Sequence, residues 1–263
     1  MHRLSVFIFL ILATFIVKSQ DLDNLKPDAS TLTDFDFHSD YKSKIRKKLL
    51  AELSEFPIAR TIVCPSFKPE FAVSIETKKS KNGIGYDDSK KYLILRTCNP
   101  SIWSSFQNAN DSSIVFTKEI LIDSVFSQTV ESLFKTALSK ARFSLKPTSG
   151  LDGTNYYFIT TIMFEGVHCG YTWSPDSATK MYGLCQISEL LRAYCETNDS
   201  KIKDEIINKS NELISRFEGN NMIEKQVNIE RFIWVSITSM LLIVMVLLFV
   251  KIKKKKANTQ YSQ

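Results

Sequence analysis

Between Ile122 and Ala141 the apolar residues Ile122, Val125, Phe126, Val130, Leu133, Phe134, Ala137, Leu138 and Ala141 return every few positions at helical spacing. A stripe at that period belongs to an amphipathic helix with a broad face turned to a core. Upstream the period drops to two: Phe71, Val73 and Ile75 alternate with Ala72, Ser74 and Glu76, as in a strand with one buried face. The runs ARTIVC (59–64), KYLILRT (91–97) and SSIVFT (112–117) add further strands, and the charged stretch around Asn82-Gly83 and Gly85 supplies a hairpin connection. Residues 154–163 and 166–173 read as a second hairpin, followed by a helix over 178–197 with Leu184, Ile187, Leu191 and Tyr194 on one face. Ile45, Leu49, Leu53 and Phe56 predict an earlier helix over 40–56, closed by Pro57. The pattern predicts an α+β fold, an antiparallel sheet covered by the two amphipathic helices near 122–141 and 178–197. Val167, Cys169, Tyr171 and Trp173 fall on one face of the last strand and are expected to meet the 122–141 helix; His168 and Thr172 fall on the other.

Both ends of the chain break this pattern. Leu4–Val17 is an apolar run of 14 residues behind Arg3. At the helical rise it covers only about 21 Å of a hydrocarbon layer roughly 30 Å thick, so it reads as a signal peptide, 1–19, with cleavage after Ser19. Residues 20–39 are acidic, polar and aperiodic, and read as a mobile leader. The α+β extracytoplasmic domain follows over 40–200. A polar helical segment, 201–231, carries Asp204 and Glu205 in its first turn and Gly219 beyond its end, and is read as a juxtamembrane stalk or as packed on the domain. It covers barely two heptads, which leaves a dimer open without arguing for one. Phe232–Val250 is 19 residues without a charge, long enough for about 28 Å, and is the predicted transmembrane helix. The basic tail 251–263 holds Lys251 and Lys253 to Lys256, which keep it cytoplasmic and place the body outside, in the periplasm if the cell is bacterial.

The formal charge of +6 changes meaning once the ends are removed, because residues 20–250 hold 27 basic against 28 acidic residues. A nearly neutral body does not offer the phosphate-binding face that nucleic acid requires. The expected contacts are the bilayer and an unidentified protein partner.

Candidate chemistry is sparse. Five cysteines in an exported chain suggest one or two disulfides and an unpaired thiol, and Cys64 and Cys98, both at strand ends, are the favoured bridge. His168 and Cys169 are adjacent on a strand and so point to opposite faces, which rules out a dyad between them. No Cys-x-x-Cys, paired histidines, phosphate loop, dinucleotide fingerprint or nucleophile elbow occurs, so no metal, cofactor or catalytic residue is assigned. Asn110, Asn198 and Asn208 begin Asn-x-Ser triplets at a frequency near chance for so Ser- and Asn-rich a chain. The candidate surface is the polar face of the second hairpin, His168 and Thr172, with the turn residues Asp152 and Asp176 beside it.

The apolar leader ending in Lys-Ser-Gln-Asp resembles the signal peptides of Bacteroidetes-type bacteria. LDGTNYYF followed by GYTWSP and an amphipathic helix is similar to a strand-strand-helix module of exported, membrane-anchored bacterial proteins, over about 45 of the 263 residues. The resemblance implies a compartment and an α+β fold and brings no catalytic residue with it. The expectation is a single-pass, membrane-anchored binding protein that protects or regulates an envelope partner, with a membrane-anchored hydrolase as the alternative.

Overall fold

The computed structural model describes residues 23–28, 39–79, 86–107, 113–143 and 152–219. In chain order the elements are β1 (Lys26–Pro27), α1 (Ser39–Leu49), β2 (Ala59–Pro65), β3 (Phe71–Lys79), β4 (Tyr86–Asn99), α2 (Ile102–Gln107), β5 (Ile114–Ile122), α3 (Ser124–Leu138), β6 (Thr154–Ile162), β7 (Gly166–Trp173), α4 (Lys180–Thr197) and a final helix α5 over 200–219. The seven strands form one sheet in the order β1-β7-β6-β2-β3-β4-β5, with every pairing antiparallel. The α+β class and the antiparallel sheet stand as the sequence predicted. The predicted signal peptide and transmembrane span lie outside the described residues, and none of the described helices is long and apolar enough to cross a membrane.

The sheet is covered on both faces, which the alternation in β3 did not suggest. On one side α3 and α4 lie across it: Phe134 meets Phe158 edge-on at 5.4 Å, and the Thr61 and Ser188 hydroxyls are 2.9 Å apart. On the other side α1 and α2 close over Ile62, Cys64, Ala72, Cys98 and Ile159, with Ile45, Leu49 and Ile102 as their contribution. Ser74 and Glu76, expected to be solvated, are buried there because Arg60 gathers them. Its guanidinium donates to Ser74 Oγ (3.0 Å), to Glu76 Oε1 (2.7 Å) and to the Ser54 carbonyl (2.6 Å), while Ser54 N–H donates to Glu76 Oε2 (2.9 Å). Every partner of that ion pair is a fixed dipole or charge, the condition under which buried charges are tolerated.

Arg96 does similar work for α1. It donates to the carbonyls of Ala51 and, at 3.0 Å, of Lys48, so the helix ends at Leu49 rather than running to Phe56. Glu52, at φ 67, turns the chain away. The last two helices are separated by Asn198, left-handed at φ 56 with its N–H on the Tyr194 carbonyl, and by Asp199, whose carboxylate accepts from Lys201 N–H at 2.9 Å. The chain divides into two compact units, Met1–Ser215 and Arg216–Gln263. Within the first, α5 buries Ile206, Ser210 and Leu213, and a Cβ at Gly183 of α4 would stand 2.7 Å from Leu213. That part of the helix therefore packs on the domain instead of standing off as a stalk.

The predicted mobile leader, 20–39, is corrected over 23–28. β1 pairs with β7 through Lys26 and Tyr171, Leu25 is fully buried, and Asp23 accepts the Met181 N–H at 3.0 Å near the start of α4. The short polar segment lacks any period because only one of its side chains enters the core.

Candidate functional site

The four surface residues proposed from sequence do not converge. His168 sits near the β6–β7 turn, with Nε2 3.3 Å from Glu165. Thr172 lies four residues further along the strand, about 13 Å away at strand rise, paired with Tyr156. It is buried, and this corrects the expectation of a solvated polar face. The reason is an inverted face assignment. A Cβ at Gly170 would stand 2.9 Å from Leu138, so α3 covers the side carrying His168, Gly170 and Thr172. Val167 and Cys169 instead pack against the α1 cluster. Asp152 and Asp176 are exposed at the opposite end of the hairpin from His168.

None of the five cysteines is in a disulfide. Cys98 N–H donates to the Glu70 carbonyl at 3.1 Å, and continuing the register Val63↔Phe71 sets Cys64 on the other side of the same residue. Two strand spacings, roughly 9.6 Å, then separate the two backbones, against the 4.4 to 6.8 Å that a disulfide spans. The favoured bridge is therefore corrected: β3 runs between its two halves. The carboxylate of Glu70, fully buried, accepts from Tyr41 Oη (2.8 Å), Ser101 Oγ (3.2 Å), Ile102 N–H (2.7 Å) and Trp103 N–H (2.9 Å). This constellation fastens α1 and α2 to β3. Burial first, and the Glu70 charge second, push the Cys98 thiol up to about 12 and Cys64 higher still. Both stay protonated and poor as nucleophiles at neutral pH.

Two further surfaces stand out among the described residues. At the base of the β6–β7 hairpin a cleft of about 250 Å³ is lined by Thr154, Tyr156, Ser174, Pro175, Tyr182, Cys185, Gln186 and Glu189. Its helical wall uses α4 positions 182, 185, 186 and 189, the one-face spacing of a helix, beside the buried stripe that the sequence had shown. Gly153 is required beneath it, since a Cβ there would meet Ser174 Oγ and Trp173 Nε1 at 2.6 Å. Burial, with Cys185 and Glu189 adding to it, pushes the Tyr156 phenol up to about 12; burial also raises the Glu189 carboxyl, against the opposing pull of Arg192 and Lys68. The cleft thus offers hydroxyl, phenol and amide groups and one carboxylate. Among the described residues no group of three or more His, Cys, Asp or Glu could hold a metal ion.

The second surface is the tip of the same hairpin. Ile162 accepts from Glu165 N–H at 3.1 Å, closing a turn whose third residue, Phe164, has φ 67. Glycine or asparagine ordinarily fills that position. Phe164 is 97% exposed and Met163 77%. Thr161 N–H donates to the Pro57 carbonyl at 3.1 Å, which brings Phe56, 61% exposed, to the same end of the sheet. Glu52 and Glu55 precede Phe56 in sequence, and Glu165 follows Phe164. The sequence placed a turn here, between residues 163 and 166, but an apolar pair beside a strand end gives no sign of being exposed, so the tip was not singled out as a surface. Comparison with protein-family models, with curated proteins and with solved structures finds no match for this chain.

Proposed function

We propose that the chain is a single-pass, membrane-anchored binding protein whose α+β body lies outside the cytoplasm and engages a protein partner in the envelope through the β6–β7 tip. The apolar stretch 232–250 followed by the lysine cluster supports the anchor and the orientation. The observation that carries the binding reading is Phe164: an aromatic held in a left-handed conformation and almost wholly in solvent contributes nothing to the core and costs backbone energy. Met163 beside it and Phe56 at the same end of the sheet are exposed as well, and Glu55 and Glu165 are their neighbours in sequence, which suits a partner surface with an apolar centre and basic margin.

A photo-crosslinking amino acid placed at position 164 of the full chain in its own membrane tests this. One discrete, heavier adduct is expected, and none from the same group at exposed Glu212. Equal, diffuse labelling at both positions would overturn the reading. The second reading, a membrane-anchored hydrolase, rests on the cleft, where Glu189 has a raised carboxyl pKa among Tyr156, Tyr182 and Cys185.

A further inference from the structure

The sheet ends differently at its two edges. β1 is two residues long and one of them is Pro27, so that edge presents little backbone to a neighbouring strand. β5 runs for nine residues, IVFTKEILI, without proline or glycine. Ile114 and Phe116, exposed at 61% and 57%, lie on its α4 side, and Leu121, exposed at 61%, on the other. The two charges on the strand have partners within the molecule yet stay exposed, so they do not block the edge but constrain how it can pair. Lys118 donates to the Glu196 carbonyl at the end of α4, and Glu119 pairs with Lys78 at 2.6 Å across Tyr92.

We propose that β5 pairs with β5 of a second copy of this chain, antiparallel about a two-fold axis through Thr117, to give one continuous sheet. The strand's own sequence is compatible with a second copy as the occupant and excludes two of the registers. A two-fold axis perpendicular to a sheet sets each residue opposite one of the same face, so the axis must pass through a residue. An axis at Lys118 would stack lysine on lysine, and one at Glu119 glutamate on glutamate, both unfavourable when directly opposite. At Thr117 the conflict disappears: Ile114 faces Ile120, Val115 faces Glu119, and Phe116 faces Lys118, an aromatic-cation pair. The contact is isologous and closes at two copies, so it consumes the edge without building a fibre. It is independent of the proposed tip surface, which belongs to β6 and β7.

The full chain in detergent, examined by sedimentation velocity and by mild oxidation of cysteine variants, decides the matter. Wild type should sediment as a dimer. Thr117→Cys should cross-link to itself, whereas Ile114→Cys, which the axis separates from its copy by about 20 Å, should not. Phe116→Lys, which sets lysine against Lys118, should weaken the dimer at least tenfold, while Phe116→Glu at the same exposed position should retain it. A monomer at all concentrations would overturn the proposal, and hydrogen-exchange protection of β5 in that monomer would mean another segment of the chain occupies the edge. Equal effects of Phe116→Lys and Phe116→Glu, or cross-linking at position 114 instead of 117, would overturn the register and the occupant argued from it.

Discussion

Replacing Phe164 by Asn should make the protein more stable while removing the most exposed aromatic among the described residues. A left-handed backbone costs an ordinary L-residue about 1–2 kcal/mol, and asparagine tolerates that region better than any other side chain with a Cβ. Little is lost in exchange. The side chain is 97% exposed, so only a few per cent of the roughly 200 Å² an aromatic can bury is at stake. At about 25 cal/mol per Å² this is roughly 0.2 kcal/mol. The net expectation is a gain of about 0.5–1 kcal/mol, read as a higher urea midpoint with an unchanged slope and a Tm raised by about 1–4 °C. Phe164→Gly relieves the same strain but adds about 0.5–1 kcal/mol of unfolded-state entropy, so it should come out near neutral. A loss of more than about 1 kcal/mol in Phe164→Asn would show that the ring packs on something the fold needs, and the argument that Phe164 is held for a partner would fall with it.

Glu70→Ala strands the donors of Tyr41, Ile102 and Trp103 and should cost about 3–5 kcal/mol, with Glu70→Gln, which keeps one acceptor, losing about 1–3; chemical denaturation followed by Trp103 fluorescence measures both, and a harmless Glu70→Ala would refute the anchoring role. Asp123 caps α3 and meets Lys203 at 2.6 Å; that contact first, and the Phe126 N–H second, hold its carboxyl below the ordinary 3.8. Its contribution is therefore complete above that value and fades as pH falls through the lower folded-state pKa, so Asp123→Asn should flatten the acid limb of the stability curve below about pH 4 and leave its slope at pH 6 to 8 unchanged. Non-reducing peptide mapping should recover no Cys64–Cys98 linkage, and finding one would mean that β3 is displaced between them. A reporter active only in the cytoplasm should work when fused after Gln263 and fail after Asn198; the reverse would remove the anchor and its orientation.

The sequence carried the element types well where a period was long enough to count. α3 has its buried stripe at Phe126, Val130, Leu133, Phe134, Ala137 and Leu138, and the β6–β7 hairpin falls where alternation put it. It carried the layers poorly. Alternation in β7 separates Val167, Cys169, Tyr171 and Trp173 from His168 and Thr172, but with helices on both sides of a sheet it does not say which set meets which helix, and the assignment came out inverted. A charged residue misled for a related reason: Glu76 fell on the polar side of the alternation in β3, yet it is buried with Arg60 because the segment after α1 supplies the Ser54 amide and carbonyl as their partners. The cleft needed the relative placement of β6 and α4, information that no local window contains.

The docking of Leu25 against the Gly170 backbone has a consequence for how the protein is made. β1 is the first part of the described fold to leave the ribosome, yet its only strand partner, β7, is among the last, with Lys26 opposite Tyr171. Pairing at that sequence distance must wait until nearly the whole sheet has been delivered, and such long-range closure is slow. Until it happens, Leu25 is exposed apolar surface, the Arg142 N–H that it receives is unmet, and Asp23 has no Met181 amide to cap. The six residues 23–28 therefore act as a late clasp, and an amino-terminal truncation or bulky fusion there would be felt as a failure to finish folding rather than as the loss of a tail.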